Sequence, residues 1–140
     1  MSPEVYSEQR GRDAVHERSL LTCEACGRKR AESIHHRRKR SHGGLWAPAN
    51  LLDVCGSGTT GCHGRIESEP ILSAVLGLHI ADDSDPSTVP VWLDRVTWVG
   101  PAWWLLGSPE PDLTQWVDLP APPVGLWTPR ALRSGLGGPR

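Results

Sequence analysis

The four cysteines of this chain form two pairs whose spacing suits a shared metal ion. Cys23 and Cys26 make a C-x2-C pair, and Cys55 and Cys62 make a second pair with six residues between them. A C-x2-C turn brings two thiolates close enough to share a tetrahedral zinc, and the flexible GSGTTG insert can return Cys62 to Cys55. We therefore predict a structural Zn²⁺ held by Cys23, Cys26, Cys55 and Cys62.

Two disulfides or free buried thiols are the alternatives to this zinc. No signal-peptide pattern marks the chain as secreted, and cytosolic thiols stay reduced, which disfavours disulfides. The same reasoning leads us to expect a cytoplasmic protein. No run of 18 apolar residues is present, so we expect no membrane span.

Histidines in the same stretch suggest a second kind of metal chemistry. His35 and His36 are adjacent in an extended-looking segment, and His63 directly follows Cys62 at the start of a possible short helix. Neighbouring helical residues point about 100° apart, so Cys62 can face the zinc while His63 faces a groove. Glu67, four residues after His63, would lie on the same helical face. This pair resembles the way other helices present ligands to a catalytic metal.

The order His36, Asn50, His63, set within C-x2-C … HHR … GG … NLL … C … CH, resembles the HNH endonucleases. The similarity is greatest to their zinc-stapled subgroup from bacteriophage and bacterial genomes, and it covers about residues 15–68. It implies an α+β fold built on a ββα-metal (His-Me) finger, in which a β-hairpin is followed by a helix. The implied function is metal-dependent hydrolysis of DNA phosphodiester bonds.

The resemblance also implies a role for each matching residue. His36 matches the general base that deprotonates the attacking water, and Asn50 matches the asparagine that pins the hairpin loop and orients the base. His35 and His63 match the first and second ligands of a catalytic divalent metal, which could be Mg²⁺, Mn²⁺, Ni²⁺ or Zn²⁺. Glu67 occupies the position of a third ligand, where the family commonly has His or Asn.

General chemistry agrees with these roles, with one geometric conflict. Histidine, with an ordinary pKa near about 6.5, accepts a proton at neutral pH, and a divalent metal stabilises charge on the phosphate and the leaving oxygen. An ideal strand, however, points His35 and His36 to opposite faces. Both can serve one phosphate only if the strand bulges or twists.

Positive charge is concentrated on this motif. Eight Arg or Lys residues and four acids lie between Cys23 and Glu67, whereas the whole chain has a net charge of −1. Basic side chains that neutralise phosphates give salt-dependent affinity for double-stranded DNA. The predicted DNA-binding residues are Arg37, Arg38, Lys39, Arg40 and Arg65. A solvated charged loop or a localisation signal is the alternative.

We divide the chain into four parts. These are a helical lead-in (1–20), the nuclease domain (21–76), a small β-rich extension (77–106) and a Pro/Gly-rich tail (107–140) that we expect to be disordered or loosely attached. Within them we predict strands at 30–34 and 51–54, a helix at 70–76 ended by Gly77, and short antiparallel strands across 89–106. Val15, Leu20 and Leu21 are expected to pack the first helix against the zinc loop.

Two function classes stay open at this point. The first is the endonuclease, and the second is a catalytically degenerate, zinc-stapled DNA-binding module. The tryptophans Trp92, Trp98, Trp103 and Trp104 are expected to form the core of a small sheet. Alternatively, this Trp-rich C-terminal part docks another protein. By analogy with phage relatives, that partner would be the terminase of a genome-packaging machine.

Overall fold

The computed structural model describes residues 6–39, 45–95, 101–107 and 115–122. Within these residues the chain is a mixed α+β protein with three helices and two small antiparallel sheets, which confirms the predicted class. The elements in chain order are α1 (Glu8–Ser19), β1 (Ser33–His36), β2 (Leu51–Val54), α2 (Gly61–Ser68), α3 (Pro70–Val75), β3 (Val91–Leu93), β4 (Ala102–Leu105) and β5 (Gln115–Val117). None of the described helices has the length and apolar character needed to cross a membrane.

The strands β1 and β2 form a hairpin that carries the paired histidines. They pair antiparallel, with His36 opposite Leu51 at the loop end. The predicted limits of β2 are confirmed, but β1 begins at Ser33 and not at residue 30. Arg30 instead bridges Thr22 and closes the loop that holds the first cysteine pair. Because residue 30 is engaged there, the hairpin strand starts later than predicted.

The helix α1 begins at a serine cap and ends in left-handed backbone. The Ser7 hydroxyl oxygen accepts a hydrogen bond from the Arg10 amide at 3.1 Å, as expected of a helix cap. Val15 is fully buried as predicted, but Leu20 and Leu21 are 62% and 43% exposed. Their φ angles of 57° and 60° turn the chain out of the helix and away from the core. The prediction that these leucines pack inward was therefore wrong.

A buried ion pair joins α1 to the first cysteine loop and to the hairpin. Arg18 donates to both carboxylate oxygens of Glu24, at 2.8 and 2.7 Å, and to the carbonyls of Pro48 and Leu51. The Glu24 carboxylate in turn accepts a hydrogen bond from the backbone amide of Asp53 at 3.0 Å. A buried ion pair is tolerated when its remaining groups are also hydrogen-bonded, which is the case here.

Arg37 links separate segments of the interior. Its side chain is 0% exposed. The guanidinium donates to four backbone carbonyls, those of Gly77 at 2.8 Å, Ala49 at 2.9 Å, Pro86 at 3.0 Å and Val89 at 2.7 Å. Burial lowers the pKa of Arg37 to about 9, with a smaller contribution from the charge of Arg18, so the group remains cationic at neutral pH. The prediction that Arg37 contacts DNA was wrong, because its hydrogen bonds are directed to these carbonyls.

The second sheet packs on the same core as the hairpin. The central strand β4 pairs antiparallel with β3 on one side and β5 on the other. The strands β3 and β4 confirm the predicted short strands, whereas β5 lies within the segment predicted as a loosely attached tail. Its residues pair with β4 because backbone groups at the edge of a sheet accept a further strand. Residues from both sheets and from α2 share one core, including Leu52, Val54, Ile66, Val91, Leu93, Ala102, Trp104 and Leu106.

The tryptophans of β3 and β4 are buried or half-buried, and Trp92 packs against the core. Trp104 is 6% exposed, and the Arg95 guanidinium lies 4.5 Å from its ring centroid. Trp92 and Trp103 meet edge to face with centroids 5.4 Å apart. The core position predicted for the tryptophans is confirmed for Trp104, and Trp98 lies outside the described residues.

We expect Arg37→Met to lower the free energy of unfolding by at least about 3 kcal/mol, because four buried carbonyls lose their donor. Lys39→Met is the matched control, since Lys39 is 53% exposed and its replacement removes the same positive charge from the neighbouring surface. Urea denaturation of both variants measures the difference. Equal unfolding midpoints for the two variants would contradict the cross-linking role of Arg37.

Candidate metal centres

Four buried cysteines meet where the loop after α1, the end of β2 and the first turn of α2 come together. Their sulfur atoms all lie within 4.8 Å of one another, and all four are free thiols. Sulfurs bound at about 2.3 Å to one tetrahedral ion lie about 3.8 Å apart, so the cluster has a suitable size. The four cysteines, Cys23, Cys26, Cys55 and Cys62, could hold a structural metal ion such as zinc.

A tight turn accounts for the wide spacing of the second cysteine pair. Ser57 and Thr60 bridge each other across this turn. Gly56 has a φ of 84°, and a Cβ there would lie 2.0 Å from the Thr60 carbonyl oxygen, so only glycine fits. The amide of Cys62 then donates to the sulfur of Cys55 at 3.4 Å. The insert therefore returns the chain as predicted.

Mutual hydrogen bonds shift the pKa values of the thiols in opposite directions. Hydrogen bonds with the other three cysteines, together with burial, raise the pKa of Cys23 far above its ordinary value. Hydrogen bonding from Cys23 lowers the pKa of Cys26 and lowers that of Cys55 to about 6. A bound divalent cation would allow all four sulfurs to be thiolates together.

A second cluster of metal-capable side chains lies between β1, α2 and the segment after α3. The Glu67 Oε2 atom is 3.2 Å from His35 Nδ1 and 3.7 Å from His63 Nε2. Its Oε1 atom is 3.8 Å from His79 Nε2. Two ligand atoms bound at about 2.1 Å to one ion are at most about 4.2 Å apart, so these distances suit a shared ion. The structure thus places the predicted ligands His35 and His63 beside Glu67, whereas the ligand atoms that all lie within 4.8 Å of one another belong to His35, Glu67 and His79.

Outer hydrogen bonds determine which nitrogen of each histidine faces the carboxylate. His35 Nε2 lies 2.6 Å from the carbonyl oxygen of Leu78, which only accepts, so Nε2 carries the proton. Ser33 donates its hydroxyl proton to the carbonyl of Gly56, and its oxygen accepts from His63 Nδ1 at 2.7 Å. Lone pairs on His35 Nδ1 and His63 Nε2 therefore face the carboxylate. Such facing lone pairs require a cation between them, either a proton or a metal ion.

The pKa shifts in this cluster suit metal binding. When Nδ1 of His35 also carries a proton, its hydrogen bond lowers the pKa of Glu67 to about 2, and the positive charges of His35, His79 and Lys39 act in the same direction. Burial lowers the pKa values of His63 and His79. At neutral pH the carboxylate is ionised and these two imidazoles are neutral, which are the states that coordinate a divalent ion.

His36, the predicted general base, lies apart from the cluster of ligand atoms. It follows His35 on β1, so its side chain leaves the opposite face of the strand. Its ring packs edge to face against Trp46, with centroids 4.5 Å apart. The strand therefore keeps its alternation, and the bulge that would turn both histidines to one face is not present. The general-base role of His36 stays a prediction.

Asn50 binds the chain immediately after β1. Its Oδ1 accepts the amide of Arg38 at 2.7 Å, and its Nδ2 donates to the carbonyls of Arg38 and Leu45 at 3.2 and 3.0 Å. The side chain is fully buried, so these bonds satisfy it without water. Asn50 therefore holds the two ends of the hairpin loop together, and its predicted role in orienting the base stays a prediction.

The other predicted DNA-binding residues differ in exposure. Lys39 is 53% exposed beside the histidine cluster, and Arg38 is half-buried. Arg65 is exposed on α2 and forms an ion pair with Glu69. Arg40 lies outside the described residues. Among the predicted DNA-binding residues that the structure describes, Lys39 thus offers its charge most directly to solvent.

His79 is a site residue that sequence reasoning missed. It lies beyond the predicted nuclease domain, and no spacing rule connects it to His35 or His63. The helix α3 ends at Val75. Gly77, with a φ of 75°, then reverses the chain and brings His79 to the cluster. The signal for His79 in the sequence was its position two residues after a helix-ending glycine. Only the tertiary structure shows that it lies beside Glu67.

Comparisons of this chain with protein-family models, with curated proteins and with solved structures found no match. The resemblance to HNH endonucleases therefore stays a prediction that depends on the motif residues themselves. The chemistry of the two clusters has to be argued from their geometry.

We expect purified protein to contain zinc at the cysteine cluster and Cys26→Ser to lower the zinc content by about one ion per chain. The loss follows because a hydroxyl does not replace a thiolate ligand. Elemental analysis gives the stoichiometry, and thermal unfolding should show a large loss of stability in the variant. Thr59→Ala, in the exposed turn of the second pair, is the control and should keep the metal. An unchanged zinc content in Cys26→Ser would exclude this site.

Proposed function

We propose that this chain is a metal-dependent endonuclease of the HNH type that hydrolyses phosphodiester bonds of DNA. The proposal rests on the proximity of His35, on the hairpin, and His63, on the following helix, to the carboxylate of Glu67. In this proposal β1, β2 and α2 make up a ββα-metal finger, and the four-cysteine cluster is the zinc staple at its base.

Hydrolysis of a phosphodiester requires a base for the attacking water and neutralisation of the phosphate charge. His36 is the proposed base, since histidine's ordinary pKa near about 6.5 allows it to accept a proton at neutral pH. His35, His63 and Glu67 would hold the divalent ion, which when bound acts as a Lewis acid on the phosphate. Asn50 keeps the loop after His36 in place.

The position of the scissile phosphate follows from the alternation of β1. His35 and His36 leave opposite faces of the strand, so one phosphate can reach both only across the loop end of the hairpin. Lys39 lies at this end and is exposed, so its charge is available to a phosphate. Glu67, which is 33% exposed, also lines a surface groove formed by α2 and the turn before it.

The alternative is a zinc-stapled DNA-binding module without catalysis. The separation of His36 from the ligand cluster is the observation that favours it, because a base must lie within reach of the attacking water. Both proposals share the zinc staple and the basic surface, so only cleavage distinguishes them.

We expect the purified protein to cut supercoiled plasmid DNA when Mg²⁺, Mn²⁺, Ni²⁺ or Zn²⁺ is added, and not in the presence of a chelator. His36→Ala should lower the rate by about 10²- to 10⁴-fold, the usual effect of removing a positioned base, while zinc content and DNA affinity stay unchanged. His16→Ala, which removes a histidine of α1 from outside the cluster, is the control. Binding without any cleavage by the wild-type protein would support the DNA-binding module instead.

We expect Lys39→Ala to weaken DNA binding equally on all sequences and to reduce the salt dependence of affinity by about one unit of slope, because a phosphate contact is lost. The chain's other lysine, Lys29, is exposed in the cysteine loop, and Lys29→Ala is the matched control. Fluorescence anisotropy at several salt concentrations measures both. A loss confined to one target sequence would indicate base readout at Lys39.

A further inference from the structure

His79 lies against the carboxylate that the hairpin histidine also faces. Its Nε2 atom is 3.8 Å from Glu67 Oε1, and its ring centroid is 5.2 Å from that of His35. One ligand atom each from His35, Glu67 and His79 lie within 4.8 Å of one another. The Nε2 atom of His79 is buried and has no hydrogen-bond partner. A buried, unpaired nitrogen is costly unless it binds something that is absent from the protein itself.

We propose that His79 is a ligand of the divalent metal in this cluster, together with His35 and Glu67, whose ligand atoms lie within 4.8 Å of its own. The inference rests on the proposed function, whose metal centre it extends by one residue from outside the ββα unit. With the His63 of the proposed function, the centre would have three imidazole nitrogens and one carboxylate.

The segment that carries His79 is fixed by hydrogen bonds to β1 and to α3. The Leu78 carbonyl accepts a hydrogen bond from His35 Nε2. Leu78 therefore orients one ligand, His35, and directly precedes another, His79. The amide of His79 donates to the carbonyl of Ser73 at 3.2 Å, and the amide of Ile80 donates to that of Arg37 at 3.1 Å. Positions on both sides of His79 are therefore held, as a ligand requires.

Gly77 is required for this path of the chain. Its φ is 75°, and a Cβ there would lie 2.1 Å from the carbonyl oxygen of Pro90. The carbonyl of Gly77 accepts a hydrogen bond from the Arg37 guanidinium at 2.8 Å. The reversal that brings His79 to the cluster is therefore specified by a glycine and held by a buried cation.

A hydrogen bond to Glu67 does not account for His79. The separation of 3.8 Å is beyond hydrogen-bonding range, and Glu67 Oε1 also has Lys39 Nζ at 4.0 Å. A shared ion, in contrast, is compatible with ligand atoms up to about 4.2 Å apart. The distance thus favours coordination through an ion over a direct contact.

The donor set indicates the class of metal. Imidazole ligands suit Zn²⁺, Cu²⁺, Fe²⁺ and Ni²⁺, whereas Mg²⁺ and Ca²⁺ prefer oxygen ligands. Three imidazoles and one carboxylate therefore select a late first-row ion. Removing His79 should weaken binding of Co²⁺ or Ni²⁺ strongly and should leave weak Mg²⁺ binding almost unchanged.

The test is a titration of Co²⁺ into protein whose four-cysteine site is already filled with zinc. We expect His79→Ala to raise the Kd for Co²⁺ by at least about 10-fold. Mutation of residues that only hydrogen-bond to a metal ligand already weakens metal affinity by about 10-fold or more, and loss of a ligand should cost at least as much. His16→Ala is the matched control, because it removes a histidine of α1 that contacts Asp53 and lies outside the cluster. A Kd for His79→Ala within about twofold of the wild-type value would overturn the assignment.

A second variant gives a signal that does not depend on loss of binding. In His79→Cys, a thiolate bound to Co²⁺ should add a near-ultraviolet charge-transfer band that neither the wild-type protein nor Lys39→Cys shows. The band supports ligation even if His79→Ala is poorly folded. Co²⁺ binding by His79→Cys without the band would exclude position 79 from the coordination sphere.

The outcomes separate this inference from the nuclease proposal. Co²⁺ binding that depends on His79, in a protein that never cuts plasmid DNA, would retain the metal centre and reject the nuclease. Plasmid cleavage with His79-independent Co²⁺ binding would retain the nuclease and reject the fourth ligand.

Discussion

The buried guanidinium of Arg37 is the constraint on which the rest of the candidate site depends. Its four carbonyl acceptors come from residues 49, 77, 86 and 89, which belong to separate stretches of the chain. These stretches cannot move apart without leaving buried acceptors or a buried charge unpaired. Residue 49 precedes Asn50, and residue 77 begins the turn to His79. One cation therefore positions side chains on both sides of the hairpin.

Adjacent residues take different roles on both elements of the site. On β1, strand alternation separates His35 from His36, and on α2 the helical rotation separates Cys62 from His63. The two candidate metal clusters thus share one helix, and the amide of His63 donates to the carbonyl of Cys55 at 3.0 Å. Loss of an ion bound by the four cysteines would disturb the position of His63, so the stability of the four-cysteine cluster and the geometry of the histidine cluster are coupled.

Positive charge is less available at the surface than its count in the sequence suggests. Arg18 and Arg37 are buried and hydrogen-bonded to a carboxylate or to carbonyls. Arg65 is paired with Glu69, whereas Lys39 is largely exposed. Arginine suits buried roles because its planar group offers five donors and stays charged, and lysine with its compact ammonium remains in solvent. The same residue run therefore contains both interior cross-links and surface charges.

The sequence by itself determined what local spacing determines. It predicted the four cysteines of one cluster, the limits of β2, and the His63–Glu67 face of α2, because turn and helix periodicity set these over a few residues, whereas the α+β class was implied by the resemblance to HNH endonucleases. It could not give Arg37 its carbonyl partners or His79 its place beside Glu67, since those contacts join residues 12 to 52 positions apart and 12 positions apart. Such contacts depend on how β1, α2 and α3 pack, and that only the tertiary structure decides.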